Sequence, residues 1–226
     1  MDAVQVVEVL VWPVAVLIIV LFFLISFRAP IKRLVEDLQS GKGKLGPSGI
    51  EFEFGRRKAE AAAALGAASE CKGGEATAEG KAPVGDRPGE IASAVATVKL
   101  TALSKLADAQ ILWVDDNPSS NLHERRSLEA FGIRFTTSTS TADAVEKMRA
   151  KRYDVVISNM GRADDLRAGY TLLKEKQKLG DTAAYIIYAG SGRQGHELEA
   201  RGKGAFGSTN SPQELFQLVL RAIQGD

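Results

Sequence analysis

Two aspartates stand side by side at the end of an apolar run, Asp115 and Asp116 in ILWVDDNPSSN. Adjacent carboxylates can hold a hard divalent cation through oxygen, or remain as an unoccupied acidic patch beside the N-terminus of the next helix. Further along, a second apolar run, YDVVIS, ends in Asn159. An amide there accepts a hydrogen bond, but it is no nucleophile like a carboxylate and brings no negative charge to a metal. Arg162, Arg167 and Arg193 follow in polar stretches, the last beside Gly190, Ser191 and Gly192. Guanidinium groups and free backbone N–H groups suit a phosphate or another anion. The competing reading leaves these arginines solvated or paired with Asp164 and Asp165. GSGRQG lacks the GxxxxGK[ST] pattern of a phosphate loop.

Composition removes several classes. The chain of 226 residues carries 29 basic and 28 acidic side chains, so no bulk field attracts nucleic acid. Its one cysteine, Cys71, excludes an internal disulfide framework and a multi-thiolate zinc site. Two histidines, His123 and His196, leave little for a His-based metal site and are expected on exposed faces.

The chemistry-bearing residues need elements to position them. From Ala109 onward, apolar runs alternate with amphipathic ones. ILWV, IRFTTS, YDVVIS, AYIIYAG and GAFGS read as strands. SSNLHERRSLEAFG, TADAVEKMRAK, GYTLLKEKQKLG, RQGHELEARG and SPQELFQLVLRAIQ read as helices. Gly132 stops the first helix, and Ser211 with Pro212 starts the last. Alternating β and α means a parallel sheet covered on both faces. The expected class is α/β: a (βα)5 flavodoxin-like doubly wound parallel sheet with strand order 2-1-3-4-5 over residues 108–226. Such folds bind ligands at the carboxyl ends of the strands. Asp115, Asp116, Asn159 and the loop after Tyr188 are thereby expected around one crevice.

ILWVDDNPSSN, the helix closing on LEAFGI, the helix TADAVEKM, YDVVIS and SPQELFQLV together resemble the receiver domain of bacterial response regulators, over residues 109–224. The resemblance implies that Asp115 and Asp116 match an acidic pair that binds Mg2+. It puts Asn159 where receivers carry the Asp that takes a phosphoryl group from a histidine kinase. The hydroxyl residue ending the fourth strand falls on Tyr188 or Ala189. The lysine ending the fifth strand falls on Ser208 or its neighbour. Three of the four chemical parts therefore differ, and conventional phosphotransfer is not expected. Weak Mg2+ binding through Asp116, with Asp115 acting through water, is the most the pair offers.

The chain before the domain is organised differently. Val9 to Phe27 carries no charge; at about 1.5 Å per residue it spans roughly 28 Å, the thickness of a bilayer core. The acidic start, the length of the run and its end in Ser26, Phe27 and Arg28 argue for an uncleaved anchor over residues 1–28 and against a signal peptide. Arg28, Lys32, Arg33, Lys42 and Lys44 follow the run and none precedes it. The positive-inside rule then puts the N-terminus outside and the domain in the cytoplasm, as a single-pass protein of a bacterial inner membrane. Residues 29–56 read as an amphipathic helix and a short strand, IEFEF, and 57–90 as a disordered linker with a transiently helical AEAAAALGAASE. Residues 91–107 read as one connecting helix with an apolar stripe, packed on the domain or forming a short coiled coil. Self-assembly through 41–56 and 91–107 is an expectation of this pattern.

The expected function is regulatory and non-enzymatic: a membrane-tethered, degenerate receiver-like domain that binds a protein partner or a small anionic ligand and relays that state, without nucleic acid. Three alternatives stand. One is an authentic phosphoacceptor in which Asn159 replaces a natural Asp. Another is a nucleotide-hydrolysing enzyme on the same topology, with Glu175 as the nearest carboxylate. The third is an oligomeric membrane scaffold.

Overall fold

A computed structural model describes residues 47–75, 88–163, 165–189 and 194–225. The expected anchor, the amphipathic helix after it and the oligomerisation segment before residue 47 lie outside the described residues. Among the described residues no helix is long and apolar enough to cross a membrane.

Five strands form one parallel sheet in the order β2-β1-β3-β4-β5, as the alternation predicts. They are β1 Gln110–Val114, β2 Arg134–Ser138, β3 Val155–Ser158, β4 Ala184–Tyr188 and β5 Gly207–Thr209. The crossover helices are α4 Leu122–Glu129, α5 Thr141–Ala150, α6 Ala168–Lys178 and α7 Gln194–Gly202, and α8 Pro212–Gln224 closes the chain. Before the sheet come α1 Pro47–Glu75, α2 Pro88–Ala96 and α3 Leu103–Asp108. β1, β3 and β4 are almost wholly buried because helices cover both faces. Alternate residues go to alternate sides. Ile111, Trp113, Val155, Ile157, Ile186 and Tyr188 pack with Leu128, Leu215, Phe216 and Val219. Leu112, Val114, Val156, Tyr185 and Ile187 pack with Ala144, Met148, Leu172, Leu173 and Ala200.

Local signals end and start the helices. Ser140 Oγ accepts from Asp143 N at the head of α5, and Ser211 Oγ accepts from Glu214 N at the head of α8. Gly132 has φ of 91°, and a Cβ there would stand 3.1 Å from Ala107 Cα, so the turn into β2 requires glycine.

The neck differs from expectation in two places. IEFEF is not a strand: it lies within α1, a helix of 29 residues. Residues 57–75 are likewise helical and not a disordered linker. The alanine-rich run is a strong helix former, and ion pairs between Glu53 and Arg56, Glu53 and Arg57, and Arg56 and Glu60 staple its first turns. The Arg56 side chain holds the Glu53 carboxyl down at about 2, with Arg57 assisting. A sequence that alternates over five residues gains nothing as a strand without an open edge to pair with. As a helix it turns Phe54 against Phe131, with ring centroids 6.5 Å apart, while Phe52 is exposed. Ala61 and Leu65, one turn apart, complete the buried face of α1 in the same core as Phe131 and Phe216.

Residues 91–107 are not one helix. α2 ends at Ala96, a 3-10 turn covers Leu100–Ala102, and α3 follows. The Thr97 hydroxyl donates to Ala94 O at 2.6 Å, offering the backbone an alternative where Thr97 and Val98 already disfavour helix. The apolar stripe survives the break: Ile91, Val95, Val98 and Leu106 are all buried in the domain's own core. Packing on the domain, one of the two expected fates, is the observed one.

Phe131 lies between Phe54 and Phe216, whose centroid is 6.0 Å from it. Phe131→Ala is therefore expected to cost about 3–5 kcal/mol in urea unfolding. Phe52→Ala, 77 % exposed, should stay within about 0.5 kcal/mol.

Candidate functional site

Asp115 and Asp116 follow β1 and Asn159 follows β3, on neighbouring strands at the carboxyl end of the sheet where the crevice is expected; the loop after Tyr188 lies, beyond Ala189, outside the described residues. Asp115 follows β1, with its N–H donating to Ser138 O at 2.9 Å. Its side chain is buried and committed: Oδ1 accepts from Asn117 N and Oδ2 from Asn121 Nδ2, each at 2.8 Å. Burial pushes this carboxyl above its ordinary range, and those two bonds pull it partly back. Asp116 is exposed. The turn Pro118–Asn121 that follows places Asn121, itself buried, under Asp115.

Asn159 follows β3, half-buried, with its N–H donating to Val114 O at 2.9 Å. Its carbonyl accepts from Ser158 Oγ at 2.9 Å and from Arg162 Nη1 at 3.3 Å. The loop beyond closes on itself: Arg162 and Asp165 exchange both backbone bonds, at 3.0 and 2.9 Å. Asp165 also accepts from Arg167 N and from the Thr171 hydroxyl. Gly169 N donates to Met160 O at 2.8 Å, and a Cβ on Gly169 would meet Asn159 O at 3.0 Å. Glycine is what lets α6 approach β3 this closely.

Of the three arginines, the two among the described residues are each committed within the fold or to a neighbouring carboxylate. Arg162 is buried and spent within the fold. Besides Asn159 O, it donates to Ser158 Oγ at 3.0 Å, Thr141 Oγ1 at 3.0 Å and Ala168 O at 2.9 Å. Burial lowers its pKa, opposed by the nearby carboxylates. Arg167 is exposed, ion-paired with Glu199, and lies 5.1 Å from the Tyr170 ring centroid. Arg193 lies outside the described residues, as do Asp164 and the Gly190–Gly192 loop.

The rim positions are occupied without the groups a receiver uses. Tyr188 is buried, and its hydroxyl donates to Glu124 Oε1 at 2.8 Å, while its ring meets Trp113 edge-on at 5.9 Å. Ala189, also buried, offers a methyl group. Ser208 is half-buried in β5, paired in register with Ile187, and β5 carries no lysine. Glu175 lies on α6, ion-paired with Lys178 at 2.6 Å, which holds its carboxyl down. That arrangement is a solvated helix face.

The donor set suits Mg2+ poorly. Among the described residues no group of three His, Cys, Asp or Glu side chains comes together. At the crevice both oxygens of Asp115 already accept hydrogen bonds, and Asn159 contributes an amide. Asp116 alone supplies an uncommitted charge, whereas Mg2+ demands near-octahedral oxygen ligation.

Several residues here carry no sequence signal. Lys72, near the end of α1, has Nζ 4.5 Å from the Tyr188 ring centroid. Its charge also acts on Asp115. It stands in SECKGGE, which reads as linker. Glu124 looks like one more charge in HERR until Tyr188 covers it. Asn121 was within reach, since it closes the same polar segment that Asp115 opens.

No protein-family model matches the chain, and no curated protein does. Solved structures similar to it include receiver domains. A response regulator receiver domain protein from Clostridium thermocellum is 28% identical, with 52% of this chain and 95% of that one covered and a TM-score of 0.44. The Francisella response regulator 1452 receiver domain is 18% identical, covering 52% and 98%, with a TM-score of 0.46. The receiver domain of HemR from Leptospira biflexa is 18% identical, covering 51% and 94%, at 0.45. The strand order and the crevice carry the fold assignment independently of these values: the domain from Ala109 onward is receiver-like.

Arg162 joins β3, α5 and α6 through buried oxygens. Arg162→Ala is expected to lower stability by about 2–4 kcal/mol in chemical denaturation, because it strands those acceptors. Arg162→Lys should recover only part of the loss, since an ammonium lacks the planar fork.

Proposed function

We propose that this protein is a membrane-tethered regulatory protein whose receiver-like domain works by binding and not by aspartyl phosphorylation. The observation that carries the reading is the state of the crevice. An amide stands at the end of β3, the acidic residue nearest the sheet is tied down by Asn117 and Asn121, and β5 supplies Ser208 in place of a lysine. Arg162 is spent inside the fold and Arg167 is paired to Glu199, so two of the three arginines expected to attract a small anion are committed elsewhere. Of the two expected ligand classes, a protein partner is favoured.

The charge-free run Val9–Phe27 and the basic residues after it support an inner-membrane anchor with the domain in the cytoplasm. A tether of this kind raises the local concentration of the domain for partners at the membrane.

Thermal unfolding with Mg2+ and beryllofluoride tests the chemistry, because a ligand of the folded state alone raises the melting temperature. No shift is expected for the protein as it stands, and none for Asn159→Asp, since the lysine is also missing. Labelling of either by acetyl phosphate would overturn the reading. Deleting residues 1–28 should move the protein from the membrane fraction to the supernatant; retention in the membrane would remove the anchor.

A further inference from the structure

The end of α1 comes to the crevice by a specific route. Leu65 and Ala68 are buried against the domain, and the Ser69 hydroxyl, also buried, accepts from Gln213 Nε2 at 3.1 Å. Gln213 stands in the first turn of α8, just past the carboxyl end of β5, so the last turns of α1 lie at the end of the sheet where the crevice opens. One turn beyond Ser69, Lys72 places its ammonium over the ring of Tyr188, the residue that ends β4. Tyr188 is held in turn by Glu124. A cation over an aromatic face, within electrostatic reach of the Asp115 carboxylate, is a favourable place for a charge. α1 thus brings to the crevice a lysine that β5 does not carry.

We propose that the last turns of α1 are a built-in latch on the receiver-like crevice, with Lys72 as its contact. The charge of the crevice thereby sets how firmly α1 is docked. This rests on the regulatory reading above and supplies its relay: whatever alters the charge between Asp115, Asp116 and Asn159 is read out at α1. α1 is the element through which the domain connects to the preceding chain. A ligand or partner side chain carrying its own cation competes with Lys72 and frees the latch. One adding negative charge tightens it.

The test is hydrogen exchange of the peptide covering residues 66–75 in the full chain in detergent, backed by the mobility of a nitroxide on Cys71, the chain's single cysteine. Lys72→Gln is expected to speed exchange there roughly two- to fivefold, the scale of one exposed cation–ring contact. Asp115→Asn and Asp116→Asn should act in the same direction, and Asn159→Asp in the opposite one. In the Lys72→Gln background all three crevice substitutions should leave the peptide unchanged. Lys58→Gln removes a cation on the same helix, over Phe54 at 4.6 Å, and should not alter the response to crevice charge. Melting temperatures within a few degrees of the unaltered chain establish that each variant folds. Unchanged exchange in Lys72→Gln, or a crevice response that persists without Lys72, would overturn the latch. A beryllofluoride shift in the unaltered chain would instead sink the regulatory reading and leave the latch to be judged by exchange alone.

Discussion

The guanidinium of Arg162 sits under the carboxyl end of the sheet and donates to oxygens on β3, α5 and the start of α6. A buried cation survives only where its donors are satisfied, so these elements are held at fixed separations. The shape of the crevice follows. Asn159 is pinned through its carbonyl, the loop after it folds back through Arg162 and Asp165, and α6 is drawn in until only glycine fits at residue 169. One of the three arginines that the sequence offers to an anion is the one the fold uses as a rivet.

The opposite wall is built from aromatic rings and α1. Phe54, Phe131 and Phe216 stack through the interface between α1, the turn after α4, and α8, while Trp113 and Tyr188 line the sheet beneath. Glu124 is buried in this wall and accepts from Tyr188. Each polar group there has a partner because an unpaired one in the core costs more than a hydrogen bond returns. The exception among the described residues of this wall is Trp113 Nε1, buried with no hydrogen-bond acceptor.

Electrostatics divides the crevice into a committed part and an available part. Asp115 is desolvated, which raises its carboxyl pKa, and tied to its own turn by two hydrogen bonds that oppose the rise and occupy its oxygens. Asp116 faces solvent. Lys72 supplies the balancing charge from outside the sheet. A pocket of this kind retains the receiver frame while its charges answer to a helix contributed by the neck of the same chain.

The sequence by itself determined the sheet. Strand number, order and the meeting of Asp115, Asp116 and Asn159 all follow from hydrophobic periodicity and the rules of parallel βα units, which are local and repeated. It also showed that the acid chemistry was altered, since residue types at strand ends are legible without coordinates. Only tertiary structure decided the rest. Whether Arg162 faces solvent or the core depends on where Thr141 and Ala168 arrive. IEFEF alternates like a strand, yet the helix-forming run that follows carries it into α1. Lys72 sits in a stretch of Gly, Ala and charge that reads as linker. Its position over Tyr188 arises from Leu65, Ala68 and Ser69 docking on a surface assembled from residues more than a hundred positions away. Long-range burial of that kind leaves no period in the sequence, because the partner that gives each residue its meaning lies elsewhere in the chain.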